Sequence, residues 1–228
     1  MTWCVYAVTA AAGGTLRVRG LRGEALRLIR VTPLAAVVGA MPRAPKPTAA
    51  NLSAYHETLQ QLSSGRLSLL PVRFGTLMSD EEIGFVLRAR RASLSRALVL
   101  VRRRVQMTVR LIETAGEAPS DTAAAGPASA LTGTAFLQSR ASAAARSRAV
   151  PAFDPLRPAV QRWVRAERME RRRGVVSIYH LVPRGSADAY RRTLRAAAAA
   201  AGTAVQISGP FPAYAFGGDL RVGGGNGV

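Results

Sequence analysis

Residues 67–98, LSLLPVRFGTLMSDEEIGFVLRARRASLSRAL, decide the fold class because a strand pattern is followed at once by a helix pattern. Residues 67–74 predict a strand that a proline interrupts. Either Ser79 or Asp80 can cap the next helix, which we predict over residues 81–98, with two glutamates at its positively polarised start. This mixture predicts an α+β protein.

Similar patterns flank this segment on both sides. Clusters of aromatic and β-branched residues, or a strict alternation of apolar and polar residues, predict strands over residues 3–8, 105–112 and 175–182. Apolar or alanine-rich periodic patterns predict helices over residues 51–62, 160–170 and 188–201. Strands and helices therefore occur in both halves of the chain, which favours two small α+β domains.

A change of composition divides the chain. Residues 115–131 are rich in Ala, Gly, Pro and Ser and hold almost no large apolar side chain, which is typical of a flexible linker. We therefore predict a first α+β domain over residues 1–114 and a second over residues 132–216, each with a modest core. The glycine-rich residues 217–228 predict a flexible tail.

The chain carries a formal charge of +19, from 32 Lys and Arg against 13 Asp and Glu, and Lys46 is its only lysine. Such an excess of guanidinium groups attracts nucleic acid, acidic proteins or anionic lipid. A composition bias with arginines solvated on helix faces would explain the charge equally well. A basic nucleic-acid-binding module is thus the alternative function, but aromatic residues make up only 6% of the chain, so nucleic acid is not the expected partner.

Groups that could converge in a catalytic site are scarce. Cys4 is the only cysteine, which excludes an intramolecular disulfide and a cysteine-rich zinc site. A site built on Cys4 and His180 is conceivable, although an apolar strand favours an inert core thiol. Helix capping explains the acidic residues 80–82, and no glycine pair matches a phosphate-binding loop. We expect no enzyme, no cofactor, no metal site and no small-molecule substrate.

The distribution of apolar residues argues against a membrane protein. The first eight residues are uncharged and are followed by two glycines rather than by a long apolar run, so no secretory signal is visible. No apolar run approaches the roughly 20 residues that span a bilayer. We expect a cytoplasmic protein that does not bind a membrane.

Three motifs resemble one known family. They are residues 70–76, LPVRFGT; residues 133–137, GTAFL, followed by Arg140; and residues 209–216, GPFPAYAF. The opening strand VYAV at residues 5–8 fits as well. In order and spacing these motifs are similar to those of the gas vesicle protein F and L family, GvpF/GvpL. The chain departs from the family motifs at Phe211 and Ala213, and in the run RRVQ at residues 103–106, where the family has an acidic residue.

The resemblance implies a fold and a role. It implies a first domain of modified ferredoxin-like type and a second α+β domain. It also implies an accessory or minor structural protein of the gas vesicle that binds the hydrophobic, GvpA-like shell protein and other gas vesicle accessory proteins. Such a protein would assist nucleation and assembly of the vesicle and prevent aggregation of the shell protein. A partner with an exposed apolar groove or strand edge can cover an apolar subunit in this way.

The aromatic residues of the last motif are the candidates for partner binding. Phe211, Tyr214 and Phe216 lie in a proline-rich turn, which presents apolar area at a low cost in conformational entropy. The alternative is that this turn packs the two domains together. Arg73 and Phe74, in the LPVRFGT motif, are further candidates, with a structural ion pair as the alternative for Arg73.

Overall fold

The computed structural model of the protein describes residues 1–11, 16–64, 67–112 and 150–217. Helices and strands alternate through these ranges, and the α+β fold class is confirmed. Within the described ranges, no helix has the length and hydropathy needed to cross a bilayer. The predicted linker at residues 115–131 and the motif at residues 133–140 lie outside the described residues.

Two compact units make up the chain, and neither is continuous in sequence. The first consists of Met1–Met107, Leu181–Ala187 and Gly209–Val228, and the second of Thr108–His180 and Asp188–Ser208. The first unit therefore takes in two segments that lie more than 70 residues beyond its main part, whereas the second unit is interrupted only by Leu181–Ala187. The domain bounds proposed from composition stay a prediction.

The first sheet is antiparallel and is built around a buried opening strand. Its strands are β1 (Thr2–Ala10), β2 (Leu26–Val31), β3 (Leu34–Ala40), β4 (Leu69–Pro71) and β5 (Leu77–Ser79), in the order β2-β3-β1-β4, with β5 also paired to β1. Seven consecutive residues of β1 are buried, because the strand lies inside the sheet. This explains why its sequence is apolar without alternation.

The described part of the first unit also contains three α-helices: α1 (Ala49–Ser64), α2 (Asp80–Ala89) and α3 (Arg91–Val101). The predicted cap of α2 is confirmed as a capping box, in which the Glu82 amide donates to Ser79 Oγ and the Ser79 amide donates to the Glu82 carboxylate. The single helix predicted over residues 81–98 is wrong, because Arg90, with φ −106° and ψ 15°, separates α2 from α3. Backbone hydrogen bonds at Arg90 still connect the two helices.

The second sheet has four strands: β6 (Arg104–Ile112), β7 (Ala166–Arg172), β8 (Val175–Pro183) and β9 (Gln206–Phe211), in the order β7-β8-β6-β9. Among the described residues, two α-helices accompany these strands, α4 (Arg157–Val160) and α5 (Ala187–Ala200). The short helix, or remnant of one, predicted over residues 160–170 is wrong in its second half, which β7 occupies; α4 ends at Val160 and a 3-10 helix follows over Gln161–Trp163. Strand β7 is at the edge of the sheet and is rich in charge, so pairing with β8 rather than propensity makes it a strand.

Candidate partner-binding site

Helix α1 presents two neighbouring rings with different roles. Tyr55 is buried, and its hydroxyl lies 2.7 Å from the Val72 carbonyl oxygen and 3.2 Å from the Tyr6 carbonyl oxygen. Its ring stacks on Tyr6, with the ring centroids 5.2 Å apart. Burial raises the pKa of the Tyr55 phenol well above its usual value, so the hydroxyl stays a neutral donor. Tyr55 thereby fixes α1 to the first sheet, and the next residue, His56, is only half-buried.

The last described part of the chain, residues 209–217, is called the closing segment below, and its two ends require glycine. Gly209 has a φ of +115°, and a Cβ there would lie 2.7 Å from the Gln106 carbonyl oxygen. A Cβ on Gly217 would lie 2.5 Å from the Pro71 carbonyl oxygen. Between these ends, the Ala215 amide donates to Gln106 Oε1 over 2.8 Å. The closing segment is therefore held closely against β6 and β4.

The closing segment surrounds His56 with aromatic side chains. The Tyr214 hydroxyl and His56 Nδ1 are hydrogen-bonded at 2.7 Å, and the two rings are stacked with centroids 5.8 Å apart. The Phe211 ring meets the His56 ring edge to face at 5.5 Å. Burial raises the pKa of the Tyr214 phenol, which keeps it protonated. His56, Phe211 and Tyr214 form a half-buried group within the first unit.

Leu52 extends this group along α1. It lies four residues before His56, and therefore on the same face of the helix, and 44% of its surface is exposed. We call Leu52, His56, Phe211 and Tyr214 the aromatic surface. Sequence reasoning missed Leu52 and His56 as members, and the signal that could have revealed them is their spacing of four residues on a predicted helix.

The other predicted site residues do not join the aromatic surface. Phe216 is buried, with 4% of its surface exposed, and Phe74 packs edge to face on Tyr55 with the ring centroids 5.3 Å apart. Arg73 is exposed, and it forms no ion pair with any residue that the structure describes. The structure thus brings Phe211 and Tyr214 together and places Phe74 on the core side of α1. The binding role of these residues stays a prediction.

Cys4 is a poor nucleophile in this structure. It lies in β1 with none of its surface exposed, and burial raises the pKa of its thiol to about 12, with the Glu24 carboxylate adding to the effect. A thiolate, the reactive form, is therefore strongly disfavoured near neutral pH. Among the residues that the structure describes, no three His, Cys, Asp or Glu side chains are grouped so that they could hold a metal ion.

His180, the other candidate for chemistry, belongs to a hydrogen-bonded network in the second unit. Its Nε2 lies 2.7 Å from Glu167 Oε2 and its Nδ1 lies 2.7 Å from the Tyr190 hydroxyl. The hydrogen bond from His180 and that from Arg157 hold the pKa of the Glu167 carboxyl below its usual value, against the opposing effect of burial. The ionised Glu167 accepts a hydrogen bond from Nε2–H, which leaves Nδ1 as the acceptor of the hydrogen bond that the Tyr190 hydroxyl donates.

Arg157 completes this network. Its guanidinium donates to Glu167 and to Asp154 Oδ1, the latter over 2.8 Å, and it lies over the Phe153 ring at 5.2 Å. A cavity of about 320 Å³ lies beside Arg157, Glu167 and His180. The carboxylate and both imidazole nitrogens are already hydrogen-bonded within the unit, so the arrangement is that of a structural ion-pair network.

Comparison with known proteins identifies similar folds. The family described as gas vesicle synthesis protein GvpL/GvpF matches residues 2–217. The crystal structure of the gas vesicle protein GvpF from Anabaena sp. PCC7120 is similar with a TM-score of 0.66 at 14% identity, covering 95% of this chain and 98% of that chain. GvpF from Microcystis aeruginosa is similar with a TM-score of 0.71 at 10% identity, covering 95% and 99%. No curated protein sequence matches the chain.

Proposed function

Because the chain belongs to the GvpL/GvpF family of gas vesicle synthesis proteins, we propose that it is an accessory protein that binds the hydrophobic shell subunit of the gas vesicle. Binding covers the apolar face of the shell subunit, limits its aggregation and assists nucleation and assembly of the vesicle. The family match over residues 2–217 is the observation that carries this proposal. The protein acts in the cytoplasm together with other gas vesicle accessory proteins.

The aromatic surface supports an apolar partner. Phe211 lies between two prolines and is only half-buried, so its ring offers apolar area without a large loss of conformational freedom on binding. Leu52 adds an exposed aliphatic side chain on the same face as His56. Rigid aromatic side chains surrounded by partly exposed apolar atoms are typical of residues that dominate binding energy.

The state of the candidate chemical groups supports a role without catalysis. The Cys4 thiol is buried with a pKa of about 12, and the His180 ring is hydrogen-bonded at both nitrogens. Neither group is poised to attack or to exchange a proton with a substrate. Packing within the fold accounts for Cys4 and internal hydrogen bonding accounts for His180, which supports a protein that acts by binding through other residues.

Capture of the shell subunit tests the proposal. The wild-type chain and a Leu52→Ser/Phe211→Ala variant are each co-expressed with the shell protein and purified at low salt and at about 1 M salt, where the Debye length is about 3 Å. Wild type should retain the shell protein at both salt concentrations. The variant should capture at least about tenfold less, because two partly exposed apolar side chains no longer contribute.

A matched control uses an exposed ring elsewhere in the first unit. Phe85→Ala on α2 removes a side chain with 56% of its surface exposed and should leave capture unchanged. Thermal melts of all three proteins show whether the variant is folded. Shell protein captured equally by the Leu52→Ser/Phe211→Ala variant would refute a role for the aromatic surface. Purification of wild type with nucleic acid alone, lost at high salt, would refute the proposed function itself.

A further inference from the structure

The first unit has a groove beside α3 that shares no residue with the aromatic surface. Its cavity measures about 480 Å³, within the range of roughly 300–1,000 Å³ in which proteins hold compact ligands or side chains. Leu34, Leu67, Leu98 and Val99 line it, and Val99 is exposed over 71% of its surface. We call it the α3 groove. Among the described residues, its lining consists of aliphatic and small polar side chains and one arginine, with no aromatic ring.

Arginines line the α3 groove and a pocket next to it. Arg102 lines the groove itself, and Arg103, Arg104 and Arg184 line a small pocket that shares Leu67 and Ser68 with it. These four residues are the arginine cluster. The pocket measures only about 20 Å³, too small for part of a partner chain, so a segment that fills the groove meets the arginines at its rim, beside the shared residues Leu67 and Ser68.

Most guanidinium N–H groups of the arginine cluster have no hydrogen-bond acceptor among the described residues. Arg104 donates to the Leu100 carbonyl oxygen, and Arg184 donates to the Ser63 carbonyl oxygen over 2.9 Å. Those two bonds satisfy carbonyls at the ends of α3 and α1, and each guanidinium carries five N–H groups. The side chains of Arg102 and Arg103 form no hydrogen bond or ion pair with any described residue. None of the four guanidinium groups forms an ion pair with a described carboxylate.

The backbone that carries the arginine cluster is fixed in place. Arg103 has a φ of +55°, in the left-handed region, and its carbonyl oxygen accepts the Arg184 amide over 3.0 Å. A non-glycine residue held in this region costs free energy that the surrounding contacts must offset. The hydrogen bond to Arg184 joins the two parts of the arginine cluster and orients them together.

We propose that the α3 groove and the arginine cluster form one docking site for a protein segment whose apolar side chains are followed by carboxylates. The apolar part fills the α3 groove, and the carboxylates accept hydrogen bonds from Arg102 and Arg103, which bind carboxylates in a two-pronged geometry. The proposal rests on the proposed function, because it names how this protein recognises the shell subunit. Nucleic acid suits this site less well, since it has no long aliphatic side chain to fill the groove and the groove offers no ring for base stacking.

Two synthetic peptides with the same apolar helix-forming sequence and an amidated end test the site. One ends in two aspartates and the other in two asparagines, and fluorescence anisotropy measures their binding to the full chain at low salt. The aspartate peptide should bind about tenfold more tightly, because each exposed charge pair contributes modestly. This preference should disappear in Arg102→Gln/Arg103→Asn, where Asn tolerates the left-handed backbone. Val99→Lys should weaken both peptides.

Two control variants make the same changes outside the docking site: one removes two arginines, and the other replaces an exposed apolar side chain by lysine. Arg17→Gln/Arg43→Gln removes two exposed arginines outside the arginine cluster, and Phe85→Lys places a lysine on α2. Both should bind the peptides like wild type. Equal binding of the two peptides by wild type would overturn the proposal, as would an equal loss of preference in the Arg17/Arg43 control. Displacement of the aspartate peptide by an equal concentration of a single-stranded oligonucleotide would also overturn it.

Capture of the shell subunit separates this inference from the proposed function. If wild type captures the shell subunit and Arg102→Gln/Arg103→Asn captures it equally well, the docking site is refuted and the proposed function stands. If wild type captures no shell subunit but retains the preference for the aspartate peptide, the docking site stands with another acidic partner and the proposed function is refuted.

Discussion

The two histidines of this chain occupy opposite environments with one contact in common. Nδ1 of His56, in the first unit, and Nδ1 of His180, in the second, each lie 2.7 Å from a tyrosine hydroxyl. His180 has 1% of its surface exposed and binds Glu167 through its other nitrogen. His56 is half-buried, its Nε2 has no hydrogen-bond partner among the described residues, and its ring contacts two aromatic side chains.

The comparison shows that a hydrogen-bonded histidine–tyrosine pair can stabilise one unit and, in the other, can lie at a surface that a partner protein can contact. A buried polar group must be hydrogen-bonded, so His180 and its partners depend on each other. A half-buried group can exchange a protein partner for water at little cost. The His180 network should therefore dominate stability, whereas the His56 group is suited to meeting a partner.

The largest effect is expected from Glu167→Ala. The variant removes the acceptor of both His180 and Arg157 and leaves a buried imidazole N–H without a partner, which should cost about 3 kcal/mol of unfolding free energy. Urea unfolding measures the change. Glu170→Ala is the matched control, because the Glu170 side chain is about half exposed, its contact with Arg172 is 3.9 Å long and its 3.2 Å hydrogen bond from the Tyr179 hydroxyl is exposed, so its loss should be nearly neutral. Similar losses in both variants would contradict a structural role for the network.

A pair of identical substitutions sharpens the comparison. Tyr190→Phe removes the hydroxyl that faces the buried Nδ1 of His180 and should cost about 2 kcal/mol of unfolding free energy. Tyr214→Phe removes the corresponding hydroxyl at His56, where water can take its place, and should cost about 0.5 kcal/mol. Denaturant midpoints of the two variants at neutral pH give both values. The interpretation fails if Tyr214→Phe is the more destabilising change.

The smallest effect concerns pH. The hydrogen bonds from His180 and Arg157 hold the Glu167 pKa below its usual value of 4.5, so the ionised carboxylate stabilises the folded state above that pH. As the pH falls through the folded pKa, both states become protonated and this stabilisation is lost. The difference in stability between wild type and Glu167→Gln should be constant near neutral pH and should shrink below about pH 4.5. A difference that grows with acidification would contradict the assigned direction.

Sequence patterns predicted the elements whose burial is one-sided or complete. The opening strand, helix α1, the Ser79 cap of α2 and strand β8 all carry apolar periodicity or a capping signal that acts over a few residues. Strand β7 was predicted as part of a helix because its charged sequence, AERMERR, has no strand alternation. An edge strand needs only a neighbour with free hydrogen-bonding groups, which the sequence of β7 does not reveal.

Only part of the candidate site could be predicted, because its residues come from distant parts of the chain. The closing motif identified Phe211 and Tyr214 as neighbours in sequence, but His56 lies more than 150 residues away and only folding brings it to them. Folding also decides the burial of Phe216. It is aromatic like Phe211 and Tyr214, but it is buried, which its sequence position does not reveal.

The sequence by itself determined the α+β class, the buried opening strand, the capped helix, the family motifs and the excess of positive charge, because these depend on composition and on contacts within a few residues. Tertiary structure alone decided which histidine is buried against a carboxylate, which aromatic side chains remain partly exposed, and how Arg184 joins Arg102, Arg103 and Arg104 beside an apolar groove. These arrangements join residues distant in the chain, and the packing of the whole unit sets them.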